Sequence, residues 1–344
     1  MDIVEPTGIM VEDYSLAPPE SWVPGCLPLR FVLGGVCVFS KKFPSLVLDK
    51  HHTELVTSPA GLSLPVGSFS PGVEVLVVQS HPVESGLPRL KRLGNSLTYI
   101  PESFIHHVAE LEQSLPAYLA KLSAKARHEM ARKVRKYWSS TGDGNQFREF
   151  RLPSEMAEFH RLALEVSKKT YQEQLLDAGL PDTLEHQQDM ERLAGEDQVR
   201  GYVLLLEGRP IAYGYCTAER EILLYHHTGY DPAYRQWSPG IVLLHEMLAR
   251  LHEEGRFKML DFGSGNAQWK DWYATRHTHC AAIYTFRPTW RNQVFVVLHL
   301  GLNSFSDSAA RLFEKLGIKQ RIKRFLAVVR KSKVVSETSR AAGG

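Results

Sequence analysis

The densest run of side chains able to do chemistry lies between Tyr225 and Arg276. His226 and His227 stand together in Glu221–Thr228, which alternates like a strand. A histidine with an ordinary pKa near 6.5 suits general-base work. In an unbroken strand His226 shares a face with Leu224 and Thr228, and His227 shares the other with Tyr225. At most one of the two then meets a given ligand. Asp261 ends a second strand-like run, where sites in α/β folds collect, and can act as a base or orient a partner. Lys270 follows on a short helical segment and can neutralise a carboxylate, a phosphate or an oxyanion. Between these strands Arg235-Gln236-Trp237-Ser238-Pro239-Gly240 opens a helix. Ser238 is a capping residue type, Pro239 suits the first helical position, and Gly240 lets a ligand approach the backbone. A helix start of this kind is an anion site. Each of these residues also has a plain structural role open to it: a packed histidine, a loop-capping aspartate, a solvated lysine, an ordinary helix cap. His277 and His279 lie beside Cys280, but two histidines without a third ligand assign no metal.

The elements that must position these residues follow from periodicity. Ile241, Leu244, Leu248 and Leu251 recur at helical spacing, and Gly255 ends that helix. Before it, Gly201–Glu207, Ile211–Cys216 and Glu221–Thr228 are strands joined by tight turns, an antiparallel meander. The strand at 257–262 follows a helical crossover and is expected to run parallel to its neighbour. A helix at 267–275 and a strand at Ala281–Phe286 come next. Upstream, Pro153 starts a helix with Met156, Phe159, Ala163 and Val166 turned inward. A further helix at 119–138 turns Leu119, Leu122, Ala126, Met130, Val134 and Tyr137 inward. Its other face holds Lys121, Lys125, Arg127, Arg132, Lys133, Arg135 and Lys136 against Glu129. Such a face is either solvated or turned toward phosphates. Earlier still, residues 1–30 read as a loop-like lead-in, strand-like runs fill Leu29–Val78, Pro82–Leu97 reads as loop, and Pro101–Leu122 as partly helical. The pattern is a mixed-sheet α/β (α+β) protein.

The order of elements, with Gly229-Tyr230-Asp231-Pro232, Ser238-Pro239-Gly240, Asp261-Phe262-Gly263 with Lys270, and Lys169-Thr170-Tyr171-Gln172, resembles the GNAT acyltransferase superfamily, in particular its CelD-type, FemAB-like branch. The likeness runs from about Leu119 to Pro288. It implies a GNAT-like mixed sheet flanked by helices, and acyl transfer from an acyl-CoA thioester to a small-molecule amine. It places Arg235, Gln236, Ser238 and Gly240 at the donor, Asp261, His226, His227 and Lys270 at the chemistry, and Tyr171, Gln172 and Tyr225 at the acceptor. Ser238 stands where the superfamily's turn has glycine, and Pro239 removes one N–H donor. That departure keeps two alternatives open: an aminoacyl-tRNA-dependent amide-bond former, which the basic helix and basic C-terminal run favour, and a non-catalytic GNAT-like protein of polysaccharide export.

The totals set outer bounds. A chain of 344 residues with 43% hydrophobic content is expected to form two domains with sizeable cores. The expected boundaries are 1–145, a degenerate GNAT-like domain, 146–318, the acyltransferase domain, and 319–344, a basic tail. A net charge of +3 does not by itself imply nucleic acid. The acidic start lacks the pattern of a secretory signal, and no apolar run approaches the roughly 20 residues of a membrane span. Four cysteines without metal spacing suggest a reduced, cytoplasmic protein with buried thiols.

Overall fold

A computed structural model describes residues 22–33, 36–55, 69–84, 88–93, 96–139, 146–170, 179–265 and 267–315. Tyr171, Gln172, the expected turn at 141–145 and the tail beyond 315 lie outside the described residues. In chain order the elements are β1 (Trp22–Leu33), β2 (Val36–Leu48), β3 (Val75–Pro82), β4 (Leu90–Leu93), β5 (Ser96–Tyr99), β6 (Ser103–Glu110), α1 (Leu115–Lys121), α2 (Ala124–Ser139), β7 (Gln146–Phe150), α3 (Pro153–Ser167), α4 (Leu184–Gly195), β8 (Val199–Leu206), β9 (Arg209–Glu219), β10 (Ile222–Tyr230), α5 (Pro239–Glu254), β11 (Met259–Ser264), α6 (Gln268–Tyr273), β12 (Arg276–Phe286) and α7 (Trp290–Lys315).

The chain forms two compact units. One is Ile105–Thr278; the other joins the residues up to Phe104 with those from His279 onward. The division therefore falls at 104 and 278, away from the expected 145 and 318. The physical reason is the apolar face of α2. Ala126, Met130 and Tyr137 share a core with Val242, Leu244, Met247, Leu248 and Leu251 of α5, which ties α2 to the strands that follow it.

In the unit Ile105–Thr278 the strand order is β6-β11-β10-β9-β8-β7. Every neighbouring pair is antiparallel except β10 and β11, which are parallel as the helical crossover requires. Alternate side chains of β8 and β9 feed two cores. Val203, Leu205 and Tyr215 pack with Phe159 and Val166 of α3 and Met190 of α4. Tyr202, Leu204 and Cys216 pack under α2 and α5. Every residue of β8 is buried, the charged Arg200 included, because both faces of the strand are covered. The expected single helix at 119–138 is two: the chain leaves α1 at Leu122, and Ser123 Oγ accepts the Ala126 N–H (3.1 Å) to start α2.

In the other unit the order is β1-β2-β3-β12, with β5 on β12 and β4 on β5. β1 begins earlier than expected, at Trp22, in spite of Pro24 and Pro28. At a sheet edge a missing N–H costs no ladder bond. A β4–β5 hairpin occupies part of the expected loop at 82–97. β6 is a strand where partial helix was expected. His106–Ala109 are buried in succession, so the segment lacks the alternation that marks a half-exposed strand. Cys216 and Cys280 are buried as expected, but Cys26 and Cys37 are exposed. Among the described residues no helix is long and apolar enough to cross a membrane.

Candidate functional site

The site grows from the place where β10 and β11 stop pairing. Their register runs Ile222↔Met259, Leu223↔Leu260, Leu224↔Asp261 and ends there, although the strands continue to Tyr230 and Ser264. Aromatic side chains fill the gap. Tyr225 and Phe262 have ring centres 6.4 Å apart, and Trp269 of α6 meets them edge-on at 6.1 and 5.5 Å. Beside them lies a cavity of about 450 Å³, walled by Tyr225, Thr228, Gly229, Trp269 and the turn from Ser238 to Ile241. The Tyr225 hydroxyl donates to Thr228 Oγ1 (2.7 Å), which donates to the Tyr213 carbonyl (3.2 Å). Burial pushes the Tyr225 phenol far above its usual pKa, so it stays a neutral donor.

The first turn of α5 closes one wall. A turn of 3-10 helix at Pro232–Trp237 leads into it, capped by Asp231 Oδ1, which accepts the Ala233 N–H (3.0 Å). Asp231 Oδ2 meets Lys169 Nζ at 3.2 Å. Ser238 does not cap α5 with its side chain, contrary to expectation. It takes the left-handed conformation (φ 52°, ψ 50°), and its carbonyl accepts the N–H groups of Ile241 (2.9 Å) and Val242 (3.2 Å). That conformation is the one glycine adopts without strain, at the position where the resemblance expects glycine. Pro239 has no N–H, and the Gly240 N–H is among the orphan donors of a helix start. A side chain at Gly240 would have room: a Cβ there would meet only Tyr230 Cδ1, at 3.7 Å.

Arg235 is exposed and lines the cavity. Gln236 does not line it, and its carbonyl accepts Lys136 Nζ at 3.0 Å. Lys136 also lies over the Trp237 ring (5.3 Å), and Lys133 over the Trp272 ring (4.8 Å). The basic face of α2 thus brings Lys136 to this turn and Lys133 to α6.

The two histidines do not alternate. The β9–β10 register passes from Tyr225↔Cys216 to His227↔Tyr215, which leaves His226 as the extra residue of a β-bulge. Past the bulge the faces exchange. Thr228 joins Tyr225 at the cavity, and both histidines lie on the side of α3 and α4. His226 Nε2 is 2.5 Å from Thr217 Oγ1, and the rings of His226 and His227 lie 6.3 and 6.1 Å from that of Tyr215. The expected pairing of His226 with Thr228 and of His227 with Tyr225 is therefore corrected. Burial, with His226 and His186 nearby, takes the His227 pKa down to about 4, so this imidazole is neutral at pH 7. Burial also lowers His226, but Asp261 opposes the shift.

Asp261 is buried. Its Oδ1 accepts the Gly263 N–H (2.6 Å) and His106 Nδ1–H (3.3 Å), so the loop-capping role open to it in the sequence is realised. Lys270 Nζ donates to the Ser264 carbonyl (2.6 Å); burial lowers its pKa, and Asp261 opposes that shift too. Asp261 is thus the charge that His226 and Lys270 both sense. Of the expected residues, Tyr225, Arg235, Ser238 and Gly240 share the cavity, and Asp261, His226, His227 and Lys270 lie outside its lining. Sequence reasoning missed Thr228 and Trp269 as lining residues, and Thr217 and His106 as partners. None carries a local signal, since each depends on a register or on a partner far along the chain.

A mixed sheet with one parallel pair, flanked by helices and opened beside the N-terminus of its crossover helix, is consistent with a GNAT-like fold. Residues 124–271, less than half of the chain, match the model of the acetyltransferase (GNAT) domain. Comparison with curated proteins gives no match. Among solved structures the chain is similar to FemX, at 9% identity and a TM-score of 0.42, covering 57% of this chain and 64% of that one. It is also similar to L-PGS from Bacillus licheniformis, at 11% identity, a TM-score of 0.43 and coverage of 66% and 72%. An aminoglycoside acetyltransferase from an uncultured soil metagenomic sample matches at 12% identity and a TM-score of 0.26, over 33% of this chain and 74% of that one. The chain thus spans less than two thirds of the FemX structure.

Proposed function

We propose that the unit Ile105–Thr278 is an N-acyltransferase that takes its acyl group from a coenzyme A thioester and gives it to a small amine. The observation that carries this is the cavity at the end of the β10/β11 pairing, with the first turn of α5 as one wall. The Gly240 N–H and the positive end of α5 suit a phosphate. Arg235 and Lys136 add charge there, and the aromatic wall of Tyr225 and Trp269 suits an apolar arm.

The chemistry falls to the polar residues around Asp261. With Nε2–H donating to Thr217 Oγ1, His226 keeps the Nδ1 lone pair to take a proton from the acceptor's ammonium, which then attacks as the free amine. Asp261 favours the imidazolium that results, and Lys270 suits the developing oxyanion. His227, neutral at pH 7, is the weaker base and is assigned a positioning role. The amine nitrogen bonds to the thioester carbonyl, the C–S bond breaks, and the thiolate leaves with a proton. Tyr171 and Gln172 are assigned to the acceptor. The Asp-Phe-Gly and Gly-Tyr-Asp-Pro phrases favour the CelD-type, FemAB-like branch.

One observation favours a different donor. Lys133 and Lys136 of the one-sign face of α2 sit beside α6 and the turn, where an RNA backbone could lie. The experiment is a transfer assay with acyl-CoA as sole donor, run beside charged tRNA with an RNase control. Turnover with acyl-CoA alone supports the proposal. Turnover that needs tRNA and disappears with RNase replaces the donor. No turnover with either, and no heat of binding with coenzyme A, leaves the non-catalytic alternative.

A further inference from the structure

We propose that His107, Asp271 and His277 form a divalent-metal site, of zinc type, that fixes α6 and with it the Trp269 wall of the cavity. The sequence assigned no metal, because His277 and His279 alone do not make a site. The fold supplies the partners of His277. His107 comes from β6, 164 residues before Asp271, and Asp271 comes from α6, shortly before His277 in the chain. His107 Nε2 lies 3.0 Å from Asp271 Oδ1, and His277 Nε2 lies 3.8 Å from the same oxygen. The three ligand atoms all fall within 4.8 Å of one another. A tetrahedral zinc ion with bonds of about 2.0–2.1 Å needs its ligand atoms about 3.3 Å apart, so small side-chain rotations reach that geometry.

The donor set selects the metal. Two imidazoles and one carboxylate suit zinc and its first-row neighbours; calcium and magnesium prefer shells made of oxygen. His107 is almost fully buried, whereas Asp271 and His277 are exposed, which gives an ion a path of entry and leaves a coordination position open to water. A simple hydrogen bond accounts for His107 and Asp271. It does not account for His277, which points Nε2 at the same carboxylate oxygen and has its ring edge-to-face with His107, centres 5.0 Å apart.

The consequence lies in α6. Six residues make an intrinsically marginal helix. This one carries Trp269, which lines the cavity, and Lys270, which is bonded to Ser264. A metal held jointly by β6, α6 and the start of β12 would tie that short helix to two strands. The role is structural, and it stands whichever donor the cavity takes.

The test is calorimetric titration of chelator-treated full-length protein with zinc, with the thermal midpoint read with and without the ion. One zinc per chain and a raised midpoint are expected, since an ion bound only by the folded state stabilises it. His277→Ala carries the decisive comparison, because the exposed ring can be removed without disturbing the core. It should lower zinc affinity by about a hundredfold or more and abolish the shift in midpoint, and Asp271→Asn should do likewise. His279→Ala, an exposed histidine on the same strand, should leave both unchanged. Absence of zinc binding in the parent chain, or a His277→Ala variant that binds like the parent, overturns the site. Cobalt gives a second readout, since tetrahedral coordination produces visible absorption bands that adventitious surface histidines do not.

Discussion

Arg200 and Gly240 lie in the same unit and meet charge in opposite ways. Arg200 is wholly buried, and every direction of its guanidinium is occupied. Glu254 accepts from it at 2.5 and 3.2 Å, Asp197 stands at 2.9 Å, the Val199 carbonyl accepts at 2.7 Å, and Phe257 packs against it with a ring centre 5.4 Å away. These partners raise its pKa against the cost of burial, so it is charged at every pH of interest. At Gly240 the donors belong to the backbone, the carbonyl of Ser238 is already used, and the space in front is a cavity. A charge enclosed by partners holds the fold. A donor that faces open volume is available to a ligand. Polarity alone does not separate the two; saturation does.

The largest effect is expected where saturation is broken. Glu254→Ala leaves a buried guanidinium short of its main partner and should cost about 3–5 kcal/mol in chemical denaturation. Coenzyme A affinity of the folded fraction should not change. A loss below about 1 kcal/mol would put Arg200 in the class of solvated pairs and remove the contrast.

A smaller effect separates two glycines of the cavity wall. A Cβ at Gly229 would come within 2.5 Å of Thr170 Cγ2 and 2.9 Å of Tyr213 Cε1, so Gly229→Ala should cost about 1–3 kcal/mol by overpacking. Gly240→Ala, with room at 3.7 Å, should stay within about 0.5 kcal/mol. Equal costs at the two positions would show that the cavity wall yields freely.

Gly240→Asp then sharpens the functional side. Its carboxylate would stand among N–H groups offered to a phosphate, so coenzyme A affinity should fall about tenfold, while stability stays within about 0.5 kcal/mol. Unchanged affinity in a folded variant would move the donor away from this turn.

A further effect is spread over pH. His227 titrates at about 4 in the folded chain against an ordinary 6.5, so the unfolded chain binds more protons between these values. Its contribution to stability is complete above pH 6.5, is lost as pH falls toward 4, and changes no further below that. In thermal melts across this window His227→Gln should flatten the slope. An unchanged slope would mean that His227 is solvated like a surface residue.

Legibility followed distance along the chain. The inward face of α3, with Met156, Phe159, Ala163 and Val166, was legible because helical spacing repeats within a few residues, and all four are buried. The parallel placement of β10 and β11 was legible from the crossover between them. β6 was not, because His106–Ala109 are buried on both faces and show no period. Arg200 was not, because nothing beside it in sequence announces Glu254, 54 residues on.

The sequence by itself determined which segments between Gln146 and Tyr273 are helices and strands, which helix faces are apolar, and where α5 begins, since each rests on contacts between near neighbours. Only the tertiary structure decided which way the functional side chains point. The bulge at His226 depends on how β10 lies along β9, and that single extra residue carried both histidines to one face and Thr228 to the other. Ser238 took a left-handed backbone because the chain must turn from one helix into the next there, and no side-chain pattern records that angle. His106 met Asp261 and His107 met Asp271 across 155 and 164 residues, by the pairing of β6 with β11 and the docking of α6. Strand register is set by the whole sheet, so the partners that make a site appear only when the sheet is assembled.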